Sequence, residues 1–347
     1  MNDNILDQKI SRYIKAIAII MMVIHHFFAF PDRWLESNLF ITGGYIGGKP
    51  VEQMLGEMCK LCVCIFAFIS GYGTYISLKK RVTFEKRILY GIKKMVQLLS
   101  MYWIAIVCFF VPVVFCFRSI SLIEIVNNLL LKSTSLVHTG WYVSFYIKAM
   151  TCILLYSLLE KETNWIWDCI VCFGFPMLLE VCSTGNMFSH YFPTFMLGYI
   201  FSKYSLYQVY EKMIRNQALK YMISIVLLLG LLLVRLKYGD MIGLISMITF
   251  IAPVICYVLD FILKYIIRFK YIEKILSVLA KYCTWYWFLH AIFHAGILII
   301  QELGYLPRIP VLIIIWVFLL LTPMAMILQD IYNNYIRMIK IVWDKMH

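Results

Sequence analysis

Charge is scarce in this sequence. Only 15% of the 347 residues are Asp, Glu, Lys or Arg and 62% are hydrophobic, whereas soluble domains carry roughly 25% charged residues. No stretch is polar enough to form a separate soluble domain, and no low-complexity tract or obvious internal repeat interrupts the apolar runs. The composition excludes a soluble globular fold and argues against nucleic-acid binding, although the formal net charge is +13. It predicts an all-α integral membrane protein.

Two further patterns are missing. The apolar stretch at the N-terminus is not followed by a small-residue cleavage site, so it is predicted to be the first membrane helix rather than a removed signal peptide. The eleven cysteines are an odd number and lie mostly inside apolar runs. The CxxC spacing of Cys59 and Cys62 lacks the βαβ context of redox proteins. We expect these cysteines to be small packing residues.

Length and hydropathy predict about ten membrane-spanning helices, because about twenty apolar residues cross a bilayer. The predicted spans run roughly over 12–30, 58–78, 96–117, 140–159, 164–183, 187–203, 217–236, 241–263, 277–300 and 309–332. They form one membrane domain, residues 9–332, followed by a cytoplasmic tail, residues 333–347.

Lys and Arg outnumber Asp and Glu by 32 to 19, and their positions predict the orientation. They gather before the first predicted span, after the second, sixth and eighth, and in the tail, so both termini are predicted to be cytoplasmic. The most basic stretch, residues 79–95, is either a topology signal that contacts lipid headgroups or a docking face for an anionic cytoplasmic ligand. Residues 119–135, broken by Glu124, Asn127 and Asn128, are predicted to lie at the outer membrane interface.

Histidines occur where only apolar side chains are expected. His25 and His26 interrupt the first predicted span, and an ionisable side chain inside a span is by default a candidate functional residue. At about 1.5 Å per residue, His26 lies about 16 Å beyond Lys15. The same count places His290 about 14 Å into the ninth span and Ser70 about 14 Å into the second. Three helices are therefore expected to place polar groups at one level of the membrane.

These polar groups have several interpretations. A membrane histidine such as His290, or His294 one helical turn further, can be a simple interhelical hydrogen-bond partner, and Ser70-Gly71 is a common small-residue pair at helix crossings. A metal site is not predicted, because no carboxylate or cysteine lies at a suitable spacing. The adjacent rings of His25 and His26 point about 100° apart, so one of them is expected to face a polar cavity. A neutral imidazole there can act as a general base.

Several short motifs follow one another along the chain. A basic residue, ten intervening residues and a histidine, Lys15 to His26, lie in the first span. The other motifs are FAFISGYGTYI at 66–76, KKMVQLLSMYW at 93–103, GWYVSFY at 140–146, FPTFMLGYIFSKY at 192–204 and KYCTWYWFLHAIFH at 281–294. In order and spacing, this set resembles the acyltransferase-3 family of bacterial membrane O-acyltransferases, and the resemblance covers nearly the whole chain.

Some positions depart from the pattern of that family. Lys15 stands where the family usually has arginine. In the third span, Lys94 and Gln97 replace a pair of arginines and Ser100 replaces a proline, while Thr284 lies near a usual serine of the ninth span. The lost arginine pair leaves the donor-binding role of the third span open.

The resemblance implies transfer of an acyl group, commonly acetyl, from cytoplasmic acyl-CoA to a hydroxyl of a surface polysaccharide or its lipid-linked precursor. It implies His26 as the general base, with His25 as the alternative. Lys15 would act at the donor end, and His290 and Ser70 would line the cavity. Three cations of the basic stretch are candidates for binding the phosphates of the donor: Arg87, Lys93 and Lys94. No bound cofactor is implied, because acyl-CoA serves as the donor substrate.

Other functions stay open at this point. Many family members carry an extracytoplasmic hydrolase-like domain, and we expect none after the predicted tenth span, so either the membrane domain completes the transfer or a separate protein does. A polysaccharide exporter or flippase would also use a polar cavity, and a membrane sensor or partner subunit would need no chemistry. In each case we expect a multi-pass protein of the bacterial cell membrane.

Overall fold

The computed structural model describes residues 6–34, 39–159, 164–182, 187–242 and 244–346, with the backbone alone at 245 and 340–346. The α-helices are α1 Gln8–Phe28, α2 Val51–Cys59, α3 Cys62–Lys79, α4 Phe84–Ala105, α5 Val111–Phe115, α6 Leu122–Leu129, α7 Trp141–Leu159, α8 Trp165–Cys169, α9 Phe175–Cys182, α10 Met187–Lys203, α11 Leu206–Met213, α12 Gln217–Tyr238, α13 Ile248–Ile266, α14 Lys270–Lys281, α15 Cys283–Leu289, α16 Leu298–Gly304 and α17 Pro310–Met346. Short 3₁₀ segments cover Pro31–Arg33, His138–Gly140 and His290–His294, and π-helical segments cover Ile106–Phe110 and Ile170–Gly174. Two small antiparallel hairpins pair β1 Tyr45–Ile46 with β2 Lys49–Pro50, and β3 Met241–Ile242 with β4 Ile245–Ser246.

Eight helices in the described residues are long and apolar enough to cross a membrane. The predicted all-α polytopic membrane protein is thereby confirmed, while the count of about ten spans and the cytoplasmic termini stay predictions. The predicted ninth span, 277–300, is not one helix, since α14 ends at Lys281 and α15 is followed by a 3₁₀ turn and by Gly296 with a φ of +76°. The final helix α17 continues through the predicted tail to Met346.

The chain groups into two compact units. The first contains the described residues of Met1–Ala18, Leu61–Ile92 and Ile147–Ala280, and the second contains those of Ile19–Lys60, Lys93–Tyr146 and Lys281–His347. Four helices, α1, α4, α7 and α14, contribute residues to both units.

Two glycines allow α3 and α10 to pack backbone against backbone in the first unit. A Cβ atom added to Gly71 of α3 would overlap the carbonyl oxygen of Phe195 in α10. Likewise, a Cβ atom added to Gly198 of α10 would overlap the carbonyl oxygen of Phe68 in α3. Small residues let membrane helices approach closely, and packing between the helices then stabilises the pair. The sequence pair Ser70-Gly71 therefore serves packing through its glycine.

A short surface helix, α6, forms within residues 119–135 of the second unit. The hydroxyl of Ser121 accepts a hydrogen bond from the backbone amide of Glu124 and caps the helix N-terminus. The side chains of Leu122 and Ile123 are exposed. Exposed apolar residues on a short helix fit the predicted position at a membrane interface.

Asn128, which is completely buried, ties α6 to the following loop through its side chain and to α4 through its backbone carbonyl. Its Nδ2 donates to the carbonyl of Glu124 (2.9 Å) and to Oγ of Ser135 (3.0 Å). Its Oδ1 accepts from the backbone amide of Leu136 (3.1 Å). The hydroxyl of Tyr102 in α4 donates to the Asn128 carbonyl (3.2 Å). In the sequence Asn128 is only a break in an apolar run, whereas in the structure it folds the following loop back onto α6.

Replacing Asn128 by Ala is expected to lower the free energy of unfolding by about 2–3 kcal/mol, because buried backbone groups lose their hydrogen-bond partners. Thermal unfolding in detergent, followed by circular dichroism, measures the loss. The matched control is Asn127→Ala, since the Asn127 side chain makes no hydrogen bond to the part of the chain that the structure describes. Equal losses of stability in the two variants would contradict the structural role of Asn128.

Candidate functional site

The C-terminal end of α1 carries the two adjacent histidines, and it is capped from other parts of the second unit. The last four carbonyl groups of a helix have no intrahelical partner. Here Nη1 of Arg33 donates to the His26 carbonyl (3.1 Å). The hydroxyl of Tyr305 donates to the Phe27 carbonyl (2.5 Å). These caps fix the end of the helix and thereby the position from which the His26 side chain projects.

His25 is held by α2. Its Nδ1 lies 2.9 Å from the carbonyl oxygen of Gly56. Because a carbonyl oxygen can only accept, Nδ1 of His25 carries the proton. Gly56 is needed for this approach, since a Cβ atom there would lie 2.6 Å from the amide nitrogen of Ala29 and 2.9 Å from the carbonyl carbon of Phe28. The close packing of α2 against the end of α1 therefore fixes the ring of His25.

His26 makes no side-chain hydrogen bond to the described residues, and it is half-buried. Its ring centre lies 5.1 Å from that of His25, 4.9 Å from that of His290 and 6.0 Å from that of His294. His290 is completely buried, with Nδ1 2.9 Å from the carbonyl oxygen of Tyr286. The structure thus brings together three of the predicted site residues and adds a fourth imidazole. We call His25, His26, His290 and His294 the histidine cluster.

His294 reaches the cluster from the 3₁₀ turn that follows α15. Both of its ring nitrogens are buried without a hydrogen-bond partner in the described chain, and so is Nε2 of His290. The ring of His294 packs against Phe27, with 5.0 Å between the ring centres. Buried polar atoms are normally paired, so these nitrogens are candidate contacts for a polar group of a ligand.

The charge around the cluster comes from Arg33. Its guanidinium lies 4.0 Å from the ring centre of Phe30, and burial lowers the pKa of Arg33 from its usual value. No carboxylate of the described residues hydrogen-bonds to His26, His290 or His294. Nor is any group of three or more His, Cys, Asp or Glu side chains in the described residues arranged to hold a metal ion. Imidazoles beside a half-buried guanidinium can transfer protons and stabilise a developing negative charge.

Sequence reasoning assigned no role to Arg33, Gly56 or Tyr305. A signal existed for Arg33, because a basic residue shortly after a helix commonly donates to its last carbonyl groups. Gly56 and Tyr305 offer no local pattern, since each acts on the end of α1 from a distant part of the sequence.

Lys15 and Ser70 lie in the first unit. Lys15 is half-buried on α1, eleven residues before His26 on the same helix. Ser70 is half-buried in α3, and its carbonyl accepts from the hydroxyl of Thr74 (2.7 Å). Their part in a common cavity with the histidines stays a prediction.

The three candidate donor-binding cations, Arg87, Lys93 and Lys94, lie on α4. Nε of Arg87 donates to the carbonyl of Arg81 (3.0 Å) and Nη1 of Arg87 to that of Ser157 (3.1 Å). Arg87 therefore links the turn after α3 to the end of α7 within the first unit. Lys93 is exposed and Lys94 is half-buried. Arg87 has a structural role, and donor binding by the three cations stays a prediction.

Replacing Tyr305 by Phe is expected to lower the free energy of unfolding by about 1–2 kcal/mol, because the buried Phe27 carbonyl loses its hydroxyl donor. The midpoint of thermal unfolding in detergent measures this. Tyr271→Phe is the control, because Tyr271 is 87% exposed and its change removes the same hydroxyl from the surface. An unchanged midpoint for Tyr305→Phe would show that the hydrogen bond does not hold the end of α1.

Comparison with known proteins adds one match. The sequence profile of the acyltransferase-3 family, described as an acyltransferase domain, matches residues 9–330. No curated protein matches the chain, and no solved structure matches it.

Proposed function

Because the chain belongs to the acyltransferase-3 family and is a membrane acyltransferase, we propose that it moves an acetyl group from cytoplasmic acetyl-CoA to a hydroxyl of a glycan. The acceptor is a cell-surface polysaccharide or its lipid-linked precursor, and the membrane is the bacterial plasma membrane. The observation that carries the proposal is the ring of His26, free of side-chain hydrogen bonds to the described residues, 4.9 Å from the ring of buried His290.

In the proposed reaction the ring of His26 takes the proton of the acceptor hydroxyl while the hydroxyl oxygen attacks the thioester carbonyl. A C–O bond forms, the C–S bond breaks, and the thiolate of coenzyme A takes the proton from His26. General base catalysis of this kind contributes about 10²- to 10⁴-fold to the rate. The chemistry uses acyl-CoA as the donor substrate and needs no bound cofactor.

The donor side of the proposal rests on charge. Coenzyme A carries several phosphate groups, which Lys and Arg bind through charge-assisted hydrogen bonds. Exposed Lys93 and half-buried Lys94 on α4 are the proposed phosphate contacts, and Arg87, earlier on the same helix, is the third candidate. Lys15 is proposed to act at the donor end and Ser70 to line the path.

The experiment that tests the function is donor turnover. The purified protein in detergent is given acetyl-CoA carrying a radiolabelled acetyl group, with and without an extract of lipid-linked glycans. We expect release of free thiol together with label in the glycan fraction, both dependent on the extract. Thiol release without labelled glycan would indicate that a separate extracytoplasmic transferase completes the reaction.

The competing function, a polysaccharide exporter or flippase, predicts a different result in these experiments. It would move glycan across vesicle membranes that contain the protein, without consuming acetyl-CoA. Glycan movement with no thiol release would therefore replace the acyl-transfer proposal with the export function.

A further inference from the structure

Three buried imidazole nitrogens in the second unit have no hydrogen-bond partner among the described residues. They are Nε2 of His290 and both ring nitrogens of His294. Leaving a buried polar atom unpaired is unfavourable, and the great majority of buried polar atoms in proteins have a hydrogen-bond partner. The atom whose chemical state the structure defines best is Nε2 of His290.

The tautomer of His290 follows from the hydrogen bond that its Nδ1 makes. Nδ1 of His290 lies 2.9 Å from the carbonyl oxygen of Tyr286, one helical turn earlier. A carbonyl oxygen only accepts, so Nδ1 carries the proton and donates it. In a neutral imidazole the other nitrogen then has a lone pair. Nε2 of His290 is therefore an acceptor that lacks a donor.

The ring of His26 can supply this donor. The structure pairs no atom of the described residues with Nε2 of His290, but the centres of the two rings lie only 4.9 Å apart. At that separation, rotation of the His26 ring can bring one of its N–H groups to about 2.9 Å from Nε2 of His290. The ionisable neighbours that act on His26 and His290 are His25, His294 and Arg33. His25 uses Nδ1 for the Gly56 carbonyl, and Arg33 donates to the His26 carbonyl.

We propose that His290 is the positioning residue of His26. Nε2 of His290 accepts the N–H of one nitrogen of the His26 ring. The other nitrogen of that ring then keeps its lone pair and faces the acceptor hydroxyl. In known catalytic triads a carboxylate orients the base and stabilises its charged form. Here the imidazole of His290, with its proton fixed on Nδ1, orients His26 and stabilises its charged form.

This inference rests on the proposed function. In the reaction the hydroxyl proton moves to His26, the C–O bond forms as the C–S bond breaks, and His26 returns the proton to the thiolate. His290 neither gains nor loses a proton. It stabilises the imidazolium of His26 through the N–H···N hydrogen bond while that imidazolium exists.

The kinetic test compares His290→Leu with His290→Gln. Leucine fills the site without an acceptor, whereas glutamine offers its carbonyl oxygen as one. We expect His290→Leu to lower kcat about 10²-fold with little change in KM. Loss of the acceptor disfavours the His26 imidazolium, so the acidic limb of the kcat/KM profile should move to lower pH by about one unit. His290→Gln should keep the limb in place and lose less than about tenfold in kcat.

A purely structural role for His290 gives a different pattern. Both variants would then lose activity in proportion to folded protein, and the acidic limb would not move. That result, or wild-type kinetics in His290→Leu, would overturn the proposal. His190→Leu is the control for loss of one imidazole, because His190 lies in the first unit on α10.

A second measurement does not depend on activity. Nitrogen NMR of protein labelled in its seven histidines, with signals assigned from His26→Gln and His290→Gln, reports the tautomer of each ring. We expect His290 protonated at Nδ1 alone and a His26 signal that changes when His290 is replaced. If the wild-type protein releases no thiol but both NMR results are as expected, the proposed function is wrong and the hydrogen bond between His26 and His290 is still supported. The proposed hydrogen bond would be overturned if His290 were protonated at Nε2, or if the His26 signal did not change when His290 is replaced. Both results can be obtained even if His290→Leu does not fold.

Discussion

Replacing His26 by Gln should lower the rate of thiol release from acetyl-CoA by about 10²- to 10⁴-fold, the range attributed to a general base. Glutamine keeps a polar side chain of similar size but cannot take up a proton near neutral pH. His26 lies at the capped end of α1 with its ring free of side-chain hydrogen bonds to the described residues. The rate is measured per folded protein, with size-exclusion chromatography as the check on folding.

The matched control for this prediction is His25→Gln, one residue earlier on the same helix. Nδ1 of His25 donates to the Gly56 carbonyl, so its replacement should lower stability by about 1 kcal/mol. We expect less than about a tenfold loss of rate per folded protein, because the proposed base is intact. If His25→Gln abolished activity and His26→Gln did not, the base would be His25, and the inferred pairing with His290 would fall with it.

The proximity of His26 to His290 could be predicted from the sequence, but the hydrogen bonds that fix the rings of His25 and His290 could not. Counting residues from Lys15 and Lys281 places both histidines at a similar depth, because the rise per residue of a helix is fixed. Which ring nitrogen is occupied depends on the carbonyls of Gly56 and Tyr286. Gly56 acts from another helix, and no pattern around His25 points to it.

The break in the predicted ninth span shows a second limit. Residues 277–300 are apolar enough to be predicted as one helix, since hydropathy measures composition and not backbone geometry. The structure ends α15 at Leu289, adds a 3₁₀ turn and changes direction at Gly296, where φ is +76°. Glycine adopts this conformation at little cost. The 3₁₀ turn also sets where His294 enters the cluster, which a continuous helix would not predict.

The charge content and the ordered motifs were the most informative features of the sequence. The low charge content predicted a polytopic membrane protein, and the ordered motifs predicted the acyltransferase-3 family, both of which are confirmed. Arg87 shows where charge alone stops being informative. Within the basic stretch it is one cation among several, yet in the structure it donates to the carbonyls of Arg81 and Ser157. A basic loop can therefore join helices as well as set topology or bind phosphate.

Replacing Gly71 by Ala should strongly destabilise the first unit. The new Cβ would overlap the carbonyl oxygen of Phe195, and a backbone group cannot move aside as a flexible side chain can. Overpacking a core lowers the free energy of unfolding by about 1–3 kcal/mol even when side chains can adjust. We expect about 3 kcal/mol or more, seen as a fall of roughly 5 °C or more in the unfolding midpoint.

The control for this change lies two residues further along the same helix. A Cβ atom added to Gly73 would meet no atom within 4 Å, and alanine in a helix is more stable than glycine by about 0.5–1 kcal/mol. Gly73→Ala should therefore leave the midpoint unchanged or raise it slightly. Gly198→Ala tests the other side of the same crossing and should resemble Gly71→Ala, because its Cβ would overlap the Phe68 carbonyl. Three indistinguishable midpoints would mean that α3 and α10 do not cross backbone to backbone at these glycines.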